Sequence, residues 1–120
     1  MPKQSLEYNQ IFHALADPTR RAVIERLSLG SATVSQLASP FAMALPSFVQ
    51  HLGVLEKSGL VHSKKSGRVR TYHLEPETIE QVEHWLSTQR HIWETRLDQL
   101  DSYLMQIKPS LEPNKENHEL

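Results

Sequence analysis

Apolar side chains recur three and four residues apart over most of the chain, which is the spacing of one face of an α-helix. The first set is Leu6, Tyr8, Ile11, Phe12 and Leu15. A second set of apolar residues follows Asp17 and Pro18. Asp17 is a typical N-cap residue, and Pro18 suits the first position of a helix. Gly30 then favours a helix end. The pattern predicts two helices before residue 31.

Two further helices are predicted between residues 33 and 59. Thr33 and Gln36 have the spacing of a capping box, which opens a short third helix before Pro40. Pro46 suits the first turn of a fourth helix, although Leu45 before it is a poor N-cap. This fourth helix is expected to bury Phe48, Leu52 and Leu55 and to end at Ser58 and Gly59.

The pattern then changes to short segments rich in β-branched and aromatic residues, at 60–63 and 69–74. Ser66 and Gly67 supply a turn between them, so the two segments predict a β-hairpin. A long helix follows from Pro76 and is expected to end before Pro109. Residues 109–120 are polar and contain prolines, which predicts a disordered tail.

The predicted fold is mainly α with a small β-hairpin: four helices, two strands and a fifth helix. Helices three and four form a helix-turn-helix, and the hairpin after them forms a wing. We therefore expect one winged helix-turn-helix domain over residues 1–108, with residues 109–120 as its tail.

The composition excludes several classes of protein. The chain has 120 residues and no cysteine, so disulfides, thiolate metal sites and cysteine nucleophiles are absent. It contains no apolar run of about 20 residues that could span a bilayer. The first ten residues, MPKQSLEYNQ, lack a signal core, which favours a cytoplasmic protein. No catalytic motif or Gly-rich phosphate loop is present, so neither an enzyme nor a cofactor is expected.

The positive charge is concentrated in the middle of the chain. The net charge is −1, but residues 51–73 carry five Lys or Arg and one Glu, a net charge of +4. Residues 74–120 carry four basic and ten acidic residues, a net charge of −6. This distribution indicates one surface for phosphates and another kept away from them; random variation in solvated charge is the alternative.

Four segments together resemble the ArsR family of bacterial transcriptional repressors: FHALADPTRRAVIERL, TVSQLASPFAM, LPSFVQHLGVLEKSGLV and GRVRTYHLEPE. The resemblance covers roughly residues 8–105. The ending WLSTQRHIWETRLDQLDSYL is similar to a subgroup without the usual metal-sensing sites. The resemblance implies a homodimer that binds double-stranded DNA at a near-palindromic operator and represses transcription.

The fourth helix departs from many of these relatives, which have Ser-Gln-Pro and Ser-Lys-His where this chain has Ala44-Leu45-Pro46 and Val49-Gln50-His51. Fewer polar groups are available to read base edges, although apolar groups can contact thymine methyls. The apolar residues Ala44, Leu45 and Val49 also suggest an alternative function, a winged-helix protein-interaction module that does not bind DNA.

The candidate DNA-binding residues lie on the fourth helix and the hairpin. Cations near the hairpin tip can neutralise phosphates, or they can simply protect an exposed sheet edge. Polar residues of the fourth helix can contact bases, while His51 can instead hold that helix to its neighbours. Arg20 can contact a flanking phosphate or remain solvated. The full set is Ser47, Gln50, His51, Lys64, Lys65, Arg68, Arg70 and Arg20.

The last helix carries more apolar surface than one small core can cover, which predicts a dimer interface. The alternative is that this helix packs on its own domain, as Trp85 is expected to do. The candidate dimerisation residues are Leu86, Trp93, Leu97, Leu100 and Leu104.

Histidines on the last helix raise the possibility of a metal-responsive repressor. His91 and Glu94 have the spacing of zinc-sensing relatives, and His84 lies nearby. The Asp-x-His that those relatives place eleven residues earlier is replaced by Thr78 and Glu80. Half of the site is therefore missing, and no metal site is predicted.

Overall fold

The structure, a computed structural model, describes residues 3–111, with side chains described for residues 7–107. Eight elements follow one another: α1 (Lys3–Leu15), α2 (Pro18–Leu27), β1 (Ala32–Thr33), α3 (Val34–Ala38), α4 (Leu45–Ser58), β2 (Val61–Ser66), β3 (Val69–Leu74) and α5 (Pro76–Leu111). The mainly helical winged helix-turn-helix predicted from the sequence is confirmed. No helix in this described range combines the length and the apolar character needed to cross a bilayer.

The chain divides into two compact units, one up to Val82 and one from Glu83 onward. The first unit contains α1 to α4, the three strands and the first turns of α5. The described part of the second unit is the rest of α5. The helical pattern of the sequence continues through residue 82 without a break, so it gives no signal of this division.

The predicted helix signals form as expected from local chemistry. The Asp17 carboxylate accepts a hydrogen bond from the Arg20 backbone N–H at 3.0 Å and caps α2. Thr33 and Gln36 bond to each other's backbone N–H groups, which completes the capping box of α3. Gly59 ends α4 with a φ of 87°, a left-handed conformation that glycine adopts without steric cost.

Two predicted helix ends are wrong. The N-cap of α4 is Ala44 and not Leu45, and its side chain makes no capping hydrogen bond, because a methyl group cannot accept one. α5 continues through Pro109 to Leu111, so this proline, which cannot donate a backbone hydrogen bond, does not end the helix. The predicted disordered tail is therefore helical over 109–111, and residues 112–120 lie outside the described residues.

The sheet has one strand more than the predicted hairpin. Its order is β1-β3-β2, with both pairings antiparallel. β1 contributes only Ala32 and Thr33, which pair with Tyr72 and Thr71. Two residues are too few to produce a detectable alternation, so the strand was not predicted.

One hydrophobic core joins the sheet to α1, α2, α3 and α4. Phe48, Leu52 and Leu55 of α4 are fully buried, as their spacing predicted. They pack with the buried residues Ile11, Ala14, Val23, Leu27, Ala32, Leu37, Leu60, Val61 and Tyr72. Because the core holds one side of α4, the opposite side of this helix is left to solvent.

Candidate nucleic-acid interface

α4 has a buried face and an exposed polar face. Phe48 and Leu52 have no exposed surface, whereas Ser47 and Gln50 are exposed. This division follows the helical period of 3.6 residues, which turns residues 47 and 50 away from the core. α4 therefore presents two predicted base-contacting side chains to solvent.

The hairpin of β2 and β3, called the wing below, places its cations in solvent. Lys64, Lys65, Arg68 and Arg70 are all exposed. Gly67 forms the turn with a φ of 64°, which favours glycine over side chains that would clash there. All four predicted wing cations thus lie within a few residues of one another around the tip.

The charges of the wing are not neutralised within the protein. Lys65 and Arg70 are directly opposite each other across the two strands, an arrangement that is destabilising for like charges. Over the part of the chain that the structure describes, no salt bridge involves Lys64, Lys65 or Arg68. An external anion placed against this surface would relieve the repulsion.

A hydrogen-bonded chain connects α4 to the wing. The Ser63 hydroxyl donates to Glu56 Oε2 at 2.8 Å and accepts from Arg70 Nη1 at 2.8 Å. The side chains of Ser63, Lys65 and Arg70 lie on one face of the hairpin, because facing pairs repeat every two residues. The face that carries Lys65 and Arg70 is therefore the face that meets α4.

The base of the wing is anchored in the core. Tyr72 is 5% exposed, and burial together with the nearby Glu56 carboxylate raises the pKa of its hydroxyl. Sequence reasoning did not find the Glu56–Ser63–Arg70 chain. Its three members are brought together by the packing of α4 on the hairpin, and no local spacing in the sequence marks them.

Arg20 and His51 lie at a junction of three helices. The Arg20 guanidinium donates to the carbonyl oxygens of Ala14 and His13 at the end of α1, at 2.7 and 3.2 Å. It also donates to His51 Nδ1 at 2.9 Å, and Asp17 Oδ2 lies 3.7 Å from the same nitrogen. His51 is partly buried and connects α4 to its neighbours. This agrees with the structural role that the sequence analysis gave as an alternative to base contact.

Comparison with known proteins supports what the geometry indicates. A helix-turn-helix domain family matches residues 15–64, which run from the end of α1 into β2. The crystal structure of the ArsR family transcriptional regulator RHA00566 is 55% identical and has a TM-score of 0.73. That match covers 78% of this chain and 97% of RHA00566.

The chain belongs to the ArsR family of transcriptional regulators. The HTH-type transcriptional regulator Rv2034 of Mycobacterium tuberculosis is 41% identical to this ArsR-family regulator over 68 residues, covering 57% of this chain. The same alignment covers 64% of Rv2034, slightly less than two thirds of its length. The transcriptional repressor SdpR of Bacillus subtilis is 28% identical over 78 residues, covering 65% of this chain and 87% of SdpR. Membership places the chain among helix-turn-helix transcriptional regulators.

The second unit of the ArsR-family regulator carries the predicted dimerisation residues on its surface. Their exposed fractions run from 43% to 62%: Leu86 52%, Trp93 62%, Leu97 53%, Leu100 51% and Leu104 43%. Arg90 and Glu94 form an exposed pair at 3.9 Å. Within residues 3–111, no group of three or more His, Asp or Glu residues is arranged to hold a metal ion, and this includes His84, His91 and Glu94.

Proposed function

We propose that this ArsR-family regulator is a homodimeric, sequence-specific repressor that binds a near-palindromic operator. The observation that carries the proposal is the cluster of unneutralised cations on a hairpin that is hydrogen-bonded to α4. Helix-turn-helix proteins insert such a helix in the major groove, and a basic ribbon beside it can grip the phosphates.

In this arrangement α4 reads bases and the wing supplies most of the affinity. Gln50 can bond adenine with both polar atoms of its amide, and Ser47 can contact a base or a phosphate. Lys64, Lys65 and Arg70 neutralise phosphates. Arg68, next to the tip glycine, reaches into a narrow minor groove, where the negative potential favours arginine.

Arg20 and His51 take part in a more limited way. An arginine can only donate, so His51 Nδ1 accepts its hydrogen bond, and the neutral ring then carries its proton on Nε2. This leaves the Nε2–H as a donor for DNA. Arg20 uses three of its five N–H groups within the protein, and two remain for a flanking phosphate.

Dimerisation is proposed through α5. Leu86, Trp93, Leu97, Leu100 and Leu104 are separated by seven, four, three and four residues. Alternating steps of three and four keep apolar side chains on one seam, and two such seams pack against each other with knobs in holes. We call these five residues the α5 seam. A second copy of the chain has the same seam, which makes a two-fold pairing self-complementary.

The experiment measures how salt changes the affinity for duplex DNA. Replacing Lys64 and Lys65 by Gln should weaken binding to specific and random duplexes alike, because both side chains are expected to contact phosphates. The slope of log affinity against log salt should fall by about one for each contact removed.

A variant with the same loss of charge elsewhere provides the control. Arg26→Gln with Arg96→Gln also removes two positive charges, but outside the wing, and it should keep the wild-type slope. Circular dichroism and thermal melting establish that both variants are folded. If the two double variants had equal slopes, the wing would not be the phosphate-binding element and the proposal would fail.

A further inference from the structure

Two large apolar side chains on α4 are not used by the core. Leu45 is 55% exposed and Val49 is 45% exposed, although Phe48 between them is fully buried. The core-facing side of the helix is already complete without them, because Leu52 and Leu55 continue it. The core therefore does not account for the exposed part of Leu45 and Val49, which is available to an external partner.

These side chains lie on the edge of α4 that is next to the wing. Residues 45 and 49 are four apart and share one side of the helix, and residue 56 falls on the same side two turns later. Glu56 is the residue that accepts the hydrogen bond from Ser63 of β2 at 2.8 Å. Leu45 and Val49 therefore line the first turns of the edge that Glu56 joins to the wing. We call these two residues the apolar edge.

The surroundings of the apolar edge favour DNA over a protein partner. The face of the wing that meets α4 carries Lys65 and Arg70 directly opposite each other, and both are exposed. The apolar edge and these exposed cations thus belong to adjoining elements that Glu56 and Ser63 connect, and together they fit a ligand that combines dense negative charge with small apolar groups. The major groove of duplex DNA has both, since phosphates flank it and the C5 methyl of thymine projects into it.

We propose that Leu45 and Val49 read thymine C5 methyl groups and thereby set part of the operator sequence. This inference rests on the proposed function and adds which bases the repressor recognises in its operator. A leucine or valine side chain makes no hydrogen bonds, and the thymine methyl is the apolar feature by which the major-groove edges of the bases differ. Each half-site should accordingly have one or two thymines that face the start of α4.

The test uses duplexes selected by the full-length protein from a pool of random sequences. Each thymine in the selected half-site is replaced in turn by deoxyuridine, which differs only in lacking the methyl group. One or two positions should lose about fourfold in affinity for each methyl removed. Leu45→Ala or Val49→Ala should weaken binding to the thymine duplex by a similar factor and then be insensitive to deoxyuridine at the matching position.

Leu29→Ala is the matched control, since Leu29 is 84% exposed and lies outside α4. This variant should respond to deoxyuridine as the wild type does. Failure to select any duplex would reject the proposed function itself. Two results would overturn the proposed recognition of thymine methyls and still leave DNA binding intact. In one, the protein binds a selected duplex equally well after every deoxyuridine replacement. In the other, both alanine variants respond to deoxyuridine as the wild type does.

Discussion

Asp17 shows how one side chain organises the junction between α1, α2 and α4. Its carboxylate accepts from the Arg20 backbone N–H, while the Arg20 side chain holds the end of α1 and His51. The hydrogen bond from the Arg20 N–H, helped by the Arg20 charge and by the Thr19 backbone N–H, outweighs burial and lowers the pKa of Asp17. The ionised carboxylate is therefore the form that stabilises the fold.

Replacing Asp17 by Ala should lower the free energy of unfolding by about 1 kcal/mol at neutral pH, because an N-cap of α2 is lost. Asp17→Asn should lose less, since asparagine also caps helices. The lowered pKa means that this stabilisation is present above the ordinary aspartate pKa of about 3.9 and is lost as the pH falls through the folded-state value. Urea unfolding at several pH values measures it. A difference between wild type and Asp17→Ala that stayed constant from pH 6 to pH 3 would contradict this account.

At the scale of the element, two glycines of the α4 region should respond to alanine with opposite signs. Gly53 lies within α4, and a Cβ there would meet nothing within 4 Å. Gly59 has a φ of 87°, and a Cβ there would lie 3.4 Å from Thr78 Oγ1. Position 53 can therefore accept a residue with a higher helix propensity, whereas position 59 requires a residue that adopts the left-handed backbone conformation.

Gly53→Ala should therefore raise the free energy of unfolding by up to about 1 kcal/mol. Gly59→Ala should lower it by about 1–2 kcal/mol, because an L-residue is strained at this φ. Thermal or urea unfolding of the two variants, measured side by side, compares them directly. Equal shifts of the same sign would show that backbone conformation does not decide the outcome.

The elements that the sequence predicted well are those encoded by neighbours along the chain. The caps at Asp17 and Thr33, the turn at Gly67 and the buried face of α4 depend on spacings of a few residues. β1 pairs with β3, and Arg20 bonds His51, across 30 residues or more, and the Glu56–Ser63–Arg70 chain joins three different elements. They exist because the core brings those segments together, so local patterns could not reveal them. The base-contacting residues remain predictions, because only an experiment with bound DNA tests them.

At the scale of the whole molecule, the charge distribution separates two tasks. The wing lies in the segment of net charge +4, whereas residues 74–120, which include α5, carry −6. α5 itself has six acidic and three basic residues, a net charge of −3, which makes it better suited to pairing with another chain than to contacting phosphates. The α5 seam supplies the apolar surface for that pairing.

Placing a charge in the α5 seam should separate dimer formation from DNA contact. Leu97→Glu introduces a carboxylate where two seams would meet, so sedimentation should give monomer at micromolar concentration where the wild type is a dimer. Gln99→Glu adds the same charge two residues away, off the seam, and should remain dimeric.

On a duplex with two half-sites, Leu97→Glu should bind at least about 100-fold more weakly, because the second contact is no longer made at high effective concentration. On a single half-site, the two variants should bind alike, since α4 and the wing are unchanged. A wild-type protein that sediments as a monomer, or a Leu97→Glu variant that keeps full affinity for the two-site duplex, would contradict pairing through α5.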